Sequence, residues 1–122
     1  MKKILVVDDD PGQVRLLESI LTKEGYQVRK TTEAADGLQI AMHDIPDLII
    51  LDVMMPVING FNFCRLLKSE EKYRGIPIVL ITGRDQLEDV HIGLEMGAEA
   101  YLTKPIDHGE LLKTIKVALS MV

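Results

Sequence analysis

The stretch ILVVDDDP, residues 4–11, decides the fold that this sequence predicts. Four consecutive aliphatic residues are typical of a β-strand that is buried on both faces. Three aspartates follow, and a proline is favourable at the first position of a helix. We therefore predict a buried strand, an acidic loop at its carboxyl end, and a helix that begins at Pro11 with Asp10 as its cap and Gln13 as a capping-box partner.

Three further apolar runs each end in a chemically distinctive residue. LIIL (48–51) leads into Asp52, IVLI (78–81) into Thr82, and AYLT (100–103) into Lys104-Pro105. Segments with helical spacing separate them, and a short polar strand near residues 27–31 belongs at a sheet edge. The alternation predicts an α/β fold: a flavodoxin-like, doubly wound parallel sheet of five strands in the order 2-1-3-4-5, with five helices in a three-layer sandwich.

Length, net charge and cysteine content indicate the class of protein. The chain has 122 residues, a net charge of −5 and one cysteine. We expect a single domain over residues 1–122, no membrane segment and a cytoplasmic location. The negative charge argues against direct binding of nucleic acid, which requires a cationic surface. Cys64 is expected to be a small core residue.

The carboxyl ends of parallel strands share one edge of a sheet, so Asp8, Asp9 and Asp52 are expected to converge there. Two carboxylates about 4 Å apart repel each other by roughly 4 kcal/mol at an effective dielectric constant near 20. A bound Mg²⁺ relieves this repulsion, because the ion prefers oxygen ligands and is held by one or two carboxylates. Asp52 is either a third metal ligand or a nucleophile, since a carboxylate can form an aspartyl-phosphate.

Two neighbouring strand ends add groups that suit phosphoryl chemistry. Lys104 can place positive charge on a phosphoryl group, and the Thr82 hydroxyl can donate a hydrogen bond to it. Either residue alone would have an ordinary structural role. Their occurrence beside three carboxylates indicates a phosphoryl-transfer site.

The motifs ILVVDDDP, LIILDVMMPVING, IPIVLITG and AYLTKP together resemble the receiver domains of two-component response regulators, the family of the bacterial chemotaxis response regulator. The similarity covers the whole chain. One departure is Val57, where the family usually has glycine. The resemblance implies a phosphorylation-activated signalling domain that depends on Mg²⁺ and is not a stand-alone enzyme. Its expected phosphodonor is a sensor histidine kinase or a histidine phosphotransfer protein.

The resemblance also implies a role for individual residues. It makes Asp52 the phosphoacceptor, Asp8 and Asp9 metal ligands, and Met54 a further ligand through its backbone carbonyl. It makes Tyr101 the aromatic partner of Thr82 in a switch that changes the surface of the fourth helix, fifth strand and fifth helix. Lys104 becomes the phosphate-binding lysine, and the Lys104–Pro105 bond is expected to be cis. The output domain or effector and a phosphorylation-dependent dimer stay open, and the three histidines match no part of the site.

Three other functions would use part of this pattern. A phosphatase of the haloacid dehalogenase type uses the same groups, but its nucleophile follows the first strand, where Asp8-Asp9-Asp10-Pro11-Gly12 does not fit its pattern. A flavin-binding protein would need a phosphate loop after the first strand instead of three aspartates. A degenerate receiver that serves only for docking would not need its acceptor residues.

Overall fold

The computed structural model of the chain describes residues 1–55, 59–83 and 94–120. Nine elements follow one another along these residues. They are β1 (Lys3–Val7), α1 (Pro11–Lys23), β2 (Gln27–Thr31), α2 (Ala34–His43), β3 (Leu48–Asp52), α3 (Gly60–Lys68), β4 (Ile78–Thr82), β5 (Ala100–Thr103) and α4 (His108–Ser120). The predicted fourth helix lies mainly outside the described residues, so the predicted fifth helix is α4 here.

The five strands form one parallel sheet in the order β2-β1-β3-β4-β5, as predicted. Strands β1, β3 and β4 lie inside the sheet, and β3 and β4 are buried along their whole length. The polar strand β2 lies at one edge and β5 at the other. This order makes β1 and β3 neighbours, which brings the residues at their carboxyl ends together.

Alternate residues of each inner strand face opposite layers of helices. One core contains Leu5, Ile49 and Leu80 together with Phe63 of α3. The other core contains Ile4, Ile50 and Val79 and is covered by α1 and α4. The sheet therefore lies between two helical layers, which confirms the three-layer sandwich. Among the described residues, no helix is both long and apolar enough to cross a bilayer.

The start of α1 agrees with the sequence in part. Asp10 caps the helix, because its side chain accepts a hydrogen bond from the Gly12 N–H at 2.9 Å. The predicted capping-box role of Gln13 was wrong, because the Asp10 N–H donates to Asp8 Oδ1 instead. Gln13 Nε2 is buried, with no hydrogen-bond partner within the described part of the chain. Asp8 precedes Asp10 by two residues, and an aspartate often accepts a hydrogen bond from the backbone two residues later.

Cys64 lies in the core, and burial raises the pKa of its thiol to about 11. Its expected role as a core residue is confirmed. His43 and His108 are exposed, as expected for solvated residues, whereas His91 lies outside the described residues.

Candidate phosphoacceptor site

Asp8 and Asp52 end neighbouring strands and are both buried in the crevice above them. Asp8 follows β1 and is fully buried, and Asp52 is the last residue of β3 and is 4% exposed. Carboxylate oxygens of Asp8, Asp9 and Asp52 lie within 4.8 Å of one another. The convergence predicted from the order of the strands is therefore present.

Backbone groups orient the two buried carboxylates. The Asp10 N–H donates to Asp8 Oδ1 at 2.9 Å, and the Met54 N–H donates to Asp52 Oδ1 at 3.2 Å. The other oxygen of each carboxylate faces Lys104, whose Nζ lies 3.6 Å from Asp8 Oδ2 and 3.5 Å from Asp52 Oδ2. Each carboxylate therefore has one oxygen held by the backbone and one directed toward the lysine.

The peptide amide of Met54 contributes to the site in a way that was not predicted from the sequence, because it donates a hydrogen bond to Asp52. The Met54 side chain is 55% exposed beside the crevice. This hydrogen bond could have been predicted from the sequence, because an aspartate often accepts a hydrogen bond from the backbone two residues later. In this site that short-range bond fixes the orientation of the proposed acceptor.

Burial changes the protonation of the pair. Burial and then the Asp8 charge raise the pKa of Asp52 from its ordinary value of 3.8 to about 7, against the opposing effects of Lys104 and the Met54 amide. Burial likewise raises the pKa of Asp8, although the Asp10 amide and Lys104 lower it. Without a bound cation, the pair therefore retains a proton close to neutral pH.

The donor set fits a Mg²⁺ ion. Asp8 Oδ2 is buried and lacks a hydrogen-bond partner among the residues that the structure describes, since Lys104 Nζ lies 3.6 Å away, beyond hydrogen-bond distance. A buried oxygen of this kind is unfavourable unless a cation or a donor satisfies it. Three carboxylates that point into one crevice are suitable ligands for a hard divalent ion.

Thr82 and Tyr101 lie on the two strands beyond β3. Thr82 ends β4 and is 1% exposed, and its hydroxyl donates to the Gly83 carbonyl at 3.2 Å. Tyr101 of β5 is 42% exposed, and its backbone is paired with Leu80. The Lys104–Pro105 bond is cis, as the resemblance implied.

The tight approach of α3 to the end of β3 was not anticipated. A Cβ atom on Gly60 would lie 2.7 Å from the backbone oxygen of Asp52 and 2.8 Å from Val53 Cα. Asn59 caps α3 by accepting a hydrogen bond from the Asn62 N–H at 2.9 Å. Glycine is therefore required at position 60 for the backbone beneath the acceptor to keep its position.

Comparison with known proteins identifies the family. The model of the response regulator receiver domain matches residues 4–116. The chain is 40% identical over 120 residues to the protein PilH of Pseudomonas aeruginosa, with 98% of this chain and 99% of PilH covered. It is 48% identical over 114 residues to the response regulator PleD of Caulobacter vibrioides, with 93% of this chain but 25% of PleD covered.

Solved structures agree with this relationship. A putative response regulator from Chloroflexus aurantiacus superimposes with a TM-score of 0.94 at 32% identity, covering 98% of each chain. The chemotaxis protein CheY4 of Vibrio cholerae superimposes with a TM-score of 0.90 at 32% identity, covering 97% of this chain and 98% of CheY4. These comparisons give no support to the dehalogenase-type phosphatase. The chain belongs to the receiver domains of response regulators, which signal through phosphorylation and generally bind Mg²⁺ in an acidic pocket.

Proposed function

We propose that Asp52 accepts a phosphoryl group from the phosphohistidine of a sensor histidine kinase or a histidine phosphotransfer protein. The observation that supports this proposal is the environment of the Asp52 carboxylate. Asp52 Oδ2 lies in a buried crevice, 3.5 Å from the Lys104 ammonium, while the Met54 amide holds Oδ1. One oxygen is thereby oriented and the other is directed toward a cation, as an attacking carboxylate requires.

The transfer is an in-line displacement. The ionised Asp52 oxygen forms a bond to phosphorus as the phosphorus–nitrogen bond of the donor breaks, and the imidazole nitrogen keeps the electron pair of that bond. Lys104 places positive charge beside the phosphoryl oxygens, and the Thr82 hydroxyl donates a hydrogen bond to them. Asp8, Asp9, Asp52 and the Met54 carbonyl would hold Mg²⁺, which when bound neutralises negative charge on the carboxylates and the phosphoryl group.

The aspartyl-phosphate is an acyl phosphate that water later cleaves to restore the carboxylate. The domain therefore carries one phosphoryl group for a limited time and is not a stand-alone enzyme. A phosphatase would instead release phosphate continuously from a phosphomonoester. Incubation with a phosphomonoester in excess distinguishes the two, because a receiver predicts no continuous release.

The signal follows from the new charge at Asp52. Phosphoryl oxygens attract the Thr82 hydroxyl and the Lys104 ammonium, and a displaced Thr82 leaves space for Tyr101. The exposed position of Tyr101 in this structure is compatible with an inward movement on phosphorylation. This would change the surface formed by the predicted fourth helix, β5 and α4.

Receiver domains interact with sensor kinases or phosphotransfer proteins, and some relatives are much longer than this chain, as PleD is. We assign residues 1–122 to one receiver domain, because α4 continues to Ser120 beyond the matched residues. We propose that the domain acts in the cytoplasm.

Labelling with a small phosphodonor tests the acceptor. With Mg²⁺ and acetyl phosphate, the intact mass should rise by one phosphoryl group, and Asp52→Asn should abolish the gain because an amide is a poor nucleophile. Asp10→Asn is the matched control, since asparagine can also cap α1 and the variant should label normally. Equal labelling of Asp52→Asn and the wild type would show that the nucleophile is misassigned.

NMR spectroscopy tests the switch. Phosphorylation should shift the backbone amides of Thr82, Tyr101 and Lys104 together. Tyr101 carries no charge to offer, so its response would be steric and would follow the movement of Thr82. Shifts confined to the loop after Asp52 would indicate a phosphate relay or sink without the proposed switch.

A further inference from the structure

Lys68 and Glu99 form an ion pair at the amino end of the sheet, opposite the carboxylate crevice. Lys68 Nζ lies 2.7 Å from Glu99 Oε1, and the two side chains are 14% and 20% exposed. The ammonium also donates to the carbonyls of Arg74 at 2.9 Å and Ile76 at 2.7 Å. The three N–H donors of the Lys68 ammonium therefore contact three acceptors. These contacts restrict the position of the ammonium far more than a solvent-exposed ion pair would.

Glu99 binds the first residue of β4 through both its backbone and its side chain. Its N–H donates to the Ile78 carbonyl at 2.9 Å, and its Oε2 accepts from the Ile78 N–H at 2.6 Å. The next residue, Ala100, begins β5 and is paired with Val79. These bonds therefore fix where β5 starts relative to β4.

The end of α3 also holds the chain that leads into β5. Gly97 has a φ of +108°, and a Cβ atom there would lie 2.8 Å from Lys68 Cγ, so the lysine stem packs directly against this turn. The Cys64 thiol donates to the Met96 carbonyl at 3.5 Å. Residues 96–99 are thereby attached to α3 at three points.

The register of β5 determines the position of Lys104. From Glu99 to Lys104 the chain extends over roughly 17 Å of strand. At the far end, the Lys104 N–H donates to the Thr82 carbonyl at 2.9 Å. A slip of one residue would exchange the faces of β5 and move Lys104 away from Asp52.

We propose that Lys68 and Glu99 are a positioning pair that fixes the register of β5 against β4 and so holds the Lys104 ammonium at its distance from Asp52. The kinetic part of this inference rests on the proposed function. The structural part does not, because the register can be measured without any phosphoryl transfer.

Two variants of the pair and one control test this. Lys68→Met keeps an apolar stem against Gly97 but removes the ammonium, and Glu99→Gln is a milder change that keeps an acceptor for the Ile78 N–H. The control is Glu18→Gln, which removes the ion pair with Lys30 on the other side of the molecule. Labelling by acetyl phosphate with Mg²⁺ should slow about tenfold in Lys68→Met and less in Glu99→Gln. It should be unchanged in Glu18→Gln.

Measuring Lys68→Met in the presence of Lys104→Ala separates an effect on the position of Lys104 from a general destabilisation of the protein. If Lys68 acts through Lys104, then Lys68→Met should slow labelling by less than about twofold once Lys104→Ala is present. Equal losses in both backgrounds would overturn the proposal, as would a wild-type rate in Lys68→Met. All rates are measured well below the unfolding transition of each variant.

Amide hydrogen exchange measures, without any phosphoryl transfer, how well the hydrogen bond from Lys104 to Thr82 at the end of β5 is protected. The Lys104 N–H should exchange faster in Lys68→Met, while the Val6 N–H in β1 should not change. Unchanged exchange at Lys104 would refute the proposal whatever the labelling rates are. Altered exchange, together with a wild-type labelling rate in Lys104→Ala, would refute the assigned role of Lys104 and leave the register claim standing.

Discussion

The affinity of the site for Mg²⁺ should depend on pH through the proton on the buried carboxylate pair. With its pKa near 7, Asp52 is ionised in roughly a tenth of the molecules at pH 6 and in about nine tenths at pH 8. Because the metal requires the ionised form, the apparent dissociation constant should be about tenfold weaker at pH 6 than at pH 8. Isothermal titration calorimetry at constant ionic strength would measure this difference.

Two variants test the cause of that dependence. Asp52→Asn removes the titrating group, so the binding that remains should vary much less between pH 6 and pH 8. Lys104→Met removes a charge that lowers the pKa of Asp52, so the inflection should move to higher pH. Equal dissociation constants for the wild type at pH 6 and pH 8 would refute the reasoning.

The same proton affects the stability of the metal-free protein. An acid whose pKa is higher in the folded state than its ordinary value of 3.8 binds more protons when folded, so its contribution to stability is lost as the pH rises through about 7. In EDTA, the stability advantage of Asp52→Asn over the wild type should therefore grow between pH 5 and pH 7, by at most about 1.4 kcal/mol per pH unit. A constant difference in thermal unfolding would contradict the shared proton.

Two further predictions concern neighbouring residues. Asp9→Ala should weaken Mg²⁺ binding strongly, whereas Asp10→Ala should mainly destabilise α1, by about 1 kcal/mol as the loss of a helix cap does. Calorimetric titration with Mg²⁺ and thermal unfolding of both variants separate the two effects. An equal loss of Mg²⁺ affinity in the two variants would contradict this prediction. Gly60→Ala should lower the free energy of unfolding by about 1–3 kcal/mol, because its Cβ would lie 2.7 Å from the backbone oxygen of Asp52, whereas a Cβ at Gly75 would meet no atom of the described residues within 4 Å. Equal denaturation midpoints for the two alanine variants would disprove the close approach at position 60.

The part of the site that follows from sheet topology was predictable from the sequence. Asp8, Asp52 and Thr82 are each placed by a short aliphatic run that can be recognised as a buried strand. Once those strands are parallel, their carboxyl ends meet at one edge whatever the details of packing. Lys104 was predictable for the same reason, as the residue that follows β5.

Contacts that depend on side-chain packing were not predictable. Lys68 and Glu99 are 31 residues apart, and no motif links them. The capping-box pattern pointed to Gln13, but the Asp10 N–H donates to Asp8 Oδ1, because an aspartate two residues earlier in the chain is a competing local acceptor. Two local patterns thus compete for one donor, and the sequence alone does not decide between them.

The central claim is that Asp52 carries the phosphoryl group received from phosphohistidine. It is tested most directly on the wild-type protein, mixed with Mg²⁺ and a phosphorylated histidine phosphotransfer protein and then treated with borohydride. Borohydride reduces an aspartyl-phosphate to homoserine, so peptide mass spectrometry identifies the residue that was modified. We expect homoserine at position 52 and unmodified aspartate at positions 8 and 9. Reduction at position 8 or 9, or phosphate retained on a histidine of this chain, would contradict it.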